Sequence, residues 1–193
     1  MGSKERRVRQ RVEIRTRMLD TARQMLTSEG HDAITMRRIA DRIEYSPTAI
    51  YFHFKDKDTL IRELCERDFQ DLAQKFASIA RIADPIEKLR RAAHLYMQFG
   101  VDNPNQYRVM FMTPNASTGR EAYAFLRSIV TEAIEQGLLR KELRDVDLVS
   151  QTIWAGVHGV VALHIAKAGD DSIDWRPIEK RAEMMVDVFI EAL

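Results

Sequence analysis

Apolar residues recur three and four positions apart along nearly the whole chain, and that spacing commits it to helices. Ile14, Met18, Ala22, Met25 and Leu26 mark a first helix that ends at Gly30. Thr35 can cap a short second helix with Ile39, Ala40 and Ile43 on one side. Ser46 and Pro47 suit the cap and first position of a third, running through Tyr51 to about His53. A long fourth helix follows, striped by Leu60, Leu64, Leu72, Phe76 and Ile79. Asp84-Pro85 opens a fifth, and Asn103-Pro104 stops it and begins an aromatic, methionine-rich stretch. A loop is expected from Thr113 to Gly119, then a seventh helix over Arg120–Glu135. An eighth, almost apolar, opens at Asp145 or Asp147, and a last amphipathic one follows Pro177. Only 8 Gly and 5 Pro interrupt 193 residues, and short strands find no place. The expectation is an all-α fold of about nine helices.

The composition, 45% hydrophobic and 31% charged, is that of a globular protein. No run of 18 apolar residues offers a membrane span, and the first residues lack the apolar core of a secretory signal. The single cysteine, Cys65, excludes an internal disulfide framework and any multi-cysteine zinc site. Together these favour a cytoplasmic setting. The formal charge of +1 conceals an asymmetry. Through Asp58 the chain has 13 Lys and Arg against 9 Asp and Glu, and the remainder is acidic. Within Lys4–Arg17, seven basic residues face only Glu5 and Glu13, a basic arm suited to a polyanion.

Two short helices separated by a four-residue break form a helix-turn-helix arrangement, whose second helix can enter the DNA major groove. Ile50 and Phe54 supply a buried side to that helix, leaving Thr48, Tyr51 and His53 to present hydroxyl and imidazole groups. The segment Tyr51-Phe52-His53-Phe54-Lys55-Asp56-Lys57-Asp58-Thr59-Leu60 resembles the hallmark of the tetracycline-repressor (TetR/AcrR) family. That hallmark is an aromatic pair, a His or Tyr, then Phe-x-x-Lys-x-x-Leu. The resemblance implies specific roles. Thr35 caps the second helix and meets a phosphate, and Arg37 reaches a phosphate or a guanine edge. Ser46 caps the recognition helix, while Thr48, Ala49 and Phe52 approach base edges and thymine methyls. Tyr51, His53 and Lys57 hold phosphates. The family's turn usually carries Gly where this chain has Glu44, which adds a steric penalty if the backbone there is left-handed.

The stretch Trp154-Ala155-Gly156-Val157-His158-Gly159 is similar to a Trp-x-x-x-His-Gly signature in one C-terminal subclass of the family. Trp154 and His158 share a helix face, either as helix packing around a satisfied histidine or as ligand contacts. Tyr96, Tyr107, Phe111, Tyr123, Trp154 and His158 are the expected pocket members, all but Phe111 having a polar handle. The resemblance implies residues 1–57 for DNA binding and 58–193 for ligand binding and dimerisation. It also implies double-stranded DNA, a small organic effector and a homodimer through the last two helices, with no membrane partner. Effector binding between helices four and seven would tilt helix four and release the operator. The rival is a constitutive or protein-controlled DNA organiser with no effector. No catalytic constellation, cofactor or metal motif stands out. There is no His-Glu-x-x-His pattern or phosphate-binding glycine loop, and His158 and His164 lie on different helix faces.

Overall fold

A computed structural model describes residues 3–113 and 119–190; most of the loop expected at Thr113–Gly119 lies outside the described residues. Among those described, nine α-helices and one 3-10 turn form the chain. They are α1 (Ser3–Glu29), the turn His31–Ala33, α2 (Met36–Ile43), α3 (Pro47–Tyr51) and α4 (Lys57–Ser78). Then come α5 (Pro85–Asp102), α6 (Pro104–Met112), α7 (Arg120–Glu135), α8 (Val146–Ala166) and α9 (Ile178–Asp187). An isolated antiparallel bridge between Leu139 and Ile190 is the one extended pairing among the described residues.

The chain divides into two compact units. The first comprises Met1–Asp68 with Asn105–Ser117, and the second Phe69–Pro104 with Thr118–Leu193. In the first, Met18, Leu19, Ile39, Ile50, Phe54 and Leu60 are all but sealed from solvent. Local chemistry sets its short helices. The Thr35 hydroxyl oxygen accepts from Arg38 N–H at 3.1 Å, and Ser46 accepts from Ala49 N–H at 3.3 Å, with Pro47 opening α3. Asn105 Nδ2 ties α6 to α1 by donating to the Thr27 carbonyl at 3.0 Å. Two features depart from the sequence reading. The basic arm is not a tail but the exposed first turns of α1, and α3 ends two residues earlier, at Tyr51.

In the second unit α5, α7, α8 and α9 pack on one another. Asp84 and Asp145 cap α5 and α8, accepting from Ile86 and Leu148 N–H. Phe76 stacks on Phe125 with centroids 5.6 Å apart. The buried ammonium of Lys88 is neutralised by Glu132 at 2.6 Å, as burial of a charge requires. A Cβ added to Gly156 would stand 2.3 Å from the Met185 methyl, so the end of that flexible side chain on α9 would have to shift. By length and composition α8 passes as a membrane span, contrary to the sequence reading. Its best window has a mean hydropathy of 1.3. Its packing against three neighbouring helices gives that apolar character another use.

Glu44 terminates α2 in the left-handed conformation, φ 60° and ψ 43°, while its N–H bonds the carbonyls of Ala40 and Asp41. A side chain there costs roughly 1 kcal/mol that glycine would not incur. Glu44→Gly should therefore raise stability by about 0.5–1 kcal/mol in urea denaturation. An unchanged or lower midpoint would show that the Glu44 side chain compensates for its backbone.

Candidate nucleic-acid interface

Helix α3 is five residues long, and its two sides differ sharply. Ile50 and the following Phe54 are 0% and 1% exposed, whereas Tyr51 and Phe52 are 56% and 78% exposed. Ser46 and Thr48 are exposed beside them, and Ala49 is half-buried. On α2, Thr35 and Arg37 are also exposed. The Thr35 oxygen accepts the Arg38 N–H, and a hydroxyl that accepts in this way can still donate its own hydrogen. The result is a hydroxyl-bearing and aromatic surface over a sealed apolar back, the form a groove-reading helix needs.

Two expected phosphate ligands sit differently. His53 lies in the turn past the end of α3 and is half-buried. Its Nδ1 is buried with no hydrogen-bond partner among the described residues. Burial, and then the positive charges of Arg11 and Arg15, hold its pKa below the usual histidine value. Lys57, the first residue of α4, donates from Nζ to the His31 carbonyl at 3.1 Å. That engages one of its three donors and leaves two for a phosphate.

Several arginines counted as surface charge are engaged within the unit, which sequence reasoning missed. Arg38 donates to the Ala33 carbonyl at 2.8 Å and pairs with Glu29, which also holds Arg42 at 2.5 Å. These arginines, Arg38 first, hold the Glu29 carboxyl below the usual range. Arg23 pairs with Asp68, and Arg15 with Glu63. The basic side chains of Lys4, Arg6, Arg7, Arg9 and Arg11 are all exposed on α1. Cys65 is buried, and burial pushes its thiol up to about 12, so it is no nucleophile.

Of the six expected ligand residues, four come together in the second unit. The Trp154 indole N–H donates to the Tyr96 oxygen at 3.2 Å, and that hydroxyl lies 3.2 Å from His158 Nδ1. The direction of that contact follows the tautomer of the imidazole, since a phenol oxygen that accepts from the indole can still either donate to or accept from a neutral ring. Burial lowers the His158 pKa, which favours that neutral form. Tyr123 completes the group, its ring centroid 6.1 Å from that of Trp154 and its hydroxyl donating to Asp147. Arg127, ahead of Tyr123, holds the Asp147 carboxyl below its usual range. Tyr107 and Phe111 belong to the first unit, where their rings pack together at 4.7 Å. A separate groove of about 290 Å³ between α5 and α9 is lined by charged groups, among them Glu87, Arg90, Arg91 and Asp187. None of the six lines it.

An all-helical chain with this helix-turn-helix defines a DNA-binding regulator. Residues 18–64 match the bacterial regulatory proteins of the tetR family, and residues 89–189 match the tetracyclin repressor-like C-terminal domain. The chain belongs to the TetR family of transcriptional regulators, a family of DNA-binding proteins and not of enzymes.

It is 24% identical over 139 residues to an uncharacterised helix-turn-helix regulator in the dhlA 5′ region of Xanthobacter autotrophicus. That match spans 72% of this chain and 50% of the relative. It is 26% identical over 171 residues to the transcriptional activator FasR of Mycolicibacterium smegmatis, spanning 88% and 77%. It is 39% identical over 59 residues to the transcriptional repressor Rv1474c of Mycobacterium tuberculosis, spanning 31% and 32%. The same fold occurs in RolR solved with its ligand resorcinol, with a TM-score of 0.66 and 16% identity, covering 94% of this chain and 90% of that one. It also occurs in a Saccharomonospora viridis protein solved with choline, with a TM-score of 0.68 and 19% identity, covering 94% and 100%.

Both histidines have pKa values that burial lowers in the folded protein, so folding favours their neutral forms relative to the unfolded chain, where a histidine titrates near pH 6.5. Their contribution to stability is therefore intact above about pH 6.5 and is lost as pH falls below that. Melting temperature should drop between pH 7.5 and 5.5, and His158→Gln should make the drop smaller. An identical drop in the variant would exclude His158 as a source.

Proposed function

We propose that this regulator is a homodimeric repressor, released from a two-fold-symmetric operator by a small organic effector. The observation that carries the DNA-binding part is the exposed Thr48–Tyr51–Phe52 surface backed by buried Ile50 and Phe54. On this reading Thr35, Arg37, Tyr51 and Lys57 hold phosphates, Ser46 caps the helix, and Thr48, Ala49 and Phe52 meet base edges. The half-buried His53 acts mainly through its backbone.

Pairing of two copies is supported by an apolar stripe on the last two helices. Leu148 and Leu163 of α8, Met184 of α9 and Val188 just past its end are 62%, 49%, 67% and 46% exposed. Gly159 of α8 has open space where a side chain would stand, which allows a second helix to approach its backbone. A second copy covering this stripe would form a four-helix interface with two-fold symmetry. Half-sites would then lie one DNA turn apart, or a multiple of it.

The effector site we place at Tyr96, Tyr123, Trp154 and His158, with residues 58–193 as the sensing and dimerising part and 1–57 as the DNA-binding part. Structural neighbours solved with resorcinol and choline support a small organic ligand as the type of signal. Helix α4, whose residues fall in both units, is the element through which occupancy would act. Such release requires the effector to prefer the DNA-free state. The site of action is the cytoplasm, where bacterial DNA lies.

Tyr51→Ala should weaken binding to the selected operator and to random duplex alike and leave the fold intact, read by fluorescence anisotropy beside circular dichroism. Loss of a single base preference would contradict the phosphate role. A thermal-shift screen of small aromatic and quaternary-ammonium compounds tests the sensor. At least one should raise the melting temperature with occupancy and weaken operator binding. No response to any compound, with full DNA affinity, would favour the organiser.

A further inference from the structure

Two arginines near the middle of α1 repeat one arrangement on the two helices of the helix-turn-helix. The Arg15 guanidinium donates to the His53 carbonyl, just past the end of α3, at 2.5 Å. Its other nitrogens fork onto both carboxylate oxygens of Glu63 on α4, with Nε at 3.1 Å. Its plane sits 4.2 Å from the centroid of the Phe54 ring. Two residues further, Arg17 donates to the Ile43 carbonyl, the last residue of α2, at 3.3 Å and lies 5.8 Å from the Tyr45 ring. Each helix thus ends on a cation from α1, and each cation rests on the aromatic ring that follows its helix. A cation suits the negative end of a helix, and ring contact adds to it.

The Arg15 contact matters more because α3 has five residues and cannot hold a direction by its own hydrogen bonds. Its start is tied by Ser46 and its end by Arg15. Glu63 also receives Arg67 at 3.8 Å, so the carboxylate is anchored on its own helix. We propose that Arg15 is a positioning residue for DNA recognition, aiming α3 through the His53 carbonyl while Glu63 holds it in place. It touches no phosphate. The basic segment Lys4–Arg17 then divides into an exposed stretch through Arg11 that faces polyanion and a pair, Arg15 and Arg17, that orients the reading helices. This rests on α3 being the helix that meets DNA.

The test uses the full chain with two probes, a duplex selected by this protein from random DNA and a scrambled duplex of equal length. Glu63→Gln separates the readings by sign. Removing a carboxylate from a DNA-binding unit should by charge alone tighten binding to both duplexes by about twofold. Loss of positioning should instead weaken selected-duplex binding about tenfold and leave the scrambled duplex unchanged or slightly tighter. Arg15→Lys keeps the charge but loses the fork and the stacking, and should show the same selective loss. The slope of log affinity against log salt should not change in either variant. Tighter binding to both duplexes, or a slope reduced by about one in Arg15→Gln, would overturn the proposal, the second because it marks a phosphate contact. Urea midpoints set the folded fraction, and Arg15→Lys carries the comparison if Glu63→Gln does not fold. Failure of the underlying premise is separable, since Tyr51→Ala would then leave affinity for both duplexes untouched.

Discussion

A helix of five residues makes one turn and a fraction, too few hydrogen bonds to offset the entropy of ordering it. In this protein α3 has that length, and what holds it comes from outside itself. Ile50 and Phe54 bury its back, Ser46 and Pro47 set its start, and the Arg15 guanidinium takes up the carbonyl beyond its end. Because the apolar side is committed inward, Tyr51 and Phe52 have nowhere to go but solvent. The exposed surface of α3 is thus a consequence of how the hidden one is fixed.

The positive charge of the N-terminal part is divided in the same spirit. Arg15, Arg17, Arg23, Arg38 and Arg42 serve carbonyls and carboxylates within the unit. The exposed residues from Lys4 to Arg11 extend along the first turns of α1. Charge that orients elements works at short range and is weakly screened. Charge that gathers a polyanion works from the surface and weakens with salt. In the second unit charges are paired too, Lys88 with Glu132 and Arg127 with Asp147, and Trp154, Tyr96 and His158 form a hydrogen-bonded group.

The helices and their caps were legible from residue types, because a cap is decided by groups three positions apart. Thr35 and Ser46 show this, as does the left-handed Glu44 that stands where glycine is usual. The exposed and buried sides of α3 followed from periodicity alone. What was not legible involves partners far apart in the chain. Nothing near Arg15 announces that it meets residues 38 and 48 positions away, or that Lys57 reaches back 26 positions to a carbonyl. His53 looked solvent-facing from helical spacing, yet the helix ends before reaching it.

The aromatic residues of the C-terminal part make the same distinction. Composition grouped six of them, and spacing put Trp154 and His158 on one face. Only the folded chain brought Tyr96 between those two and assigned Tyr107 and Phe111 to the other unit. Residue pattern alone determined that this chain is helical, where most of its helices start, and that the helix opened by Ser46 and Pro47 has a sealed back and a polar front. Tertiary structure decided which charges are engaged within a unit, which side chain meets the end of α3 and which rings form one group. The physical reason is range. Propensity, capping and periodicity act within a turn or two of helix, whereas ion pairs and ring contacts depend on where distant segments finally pack.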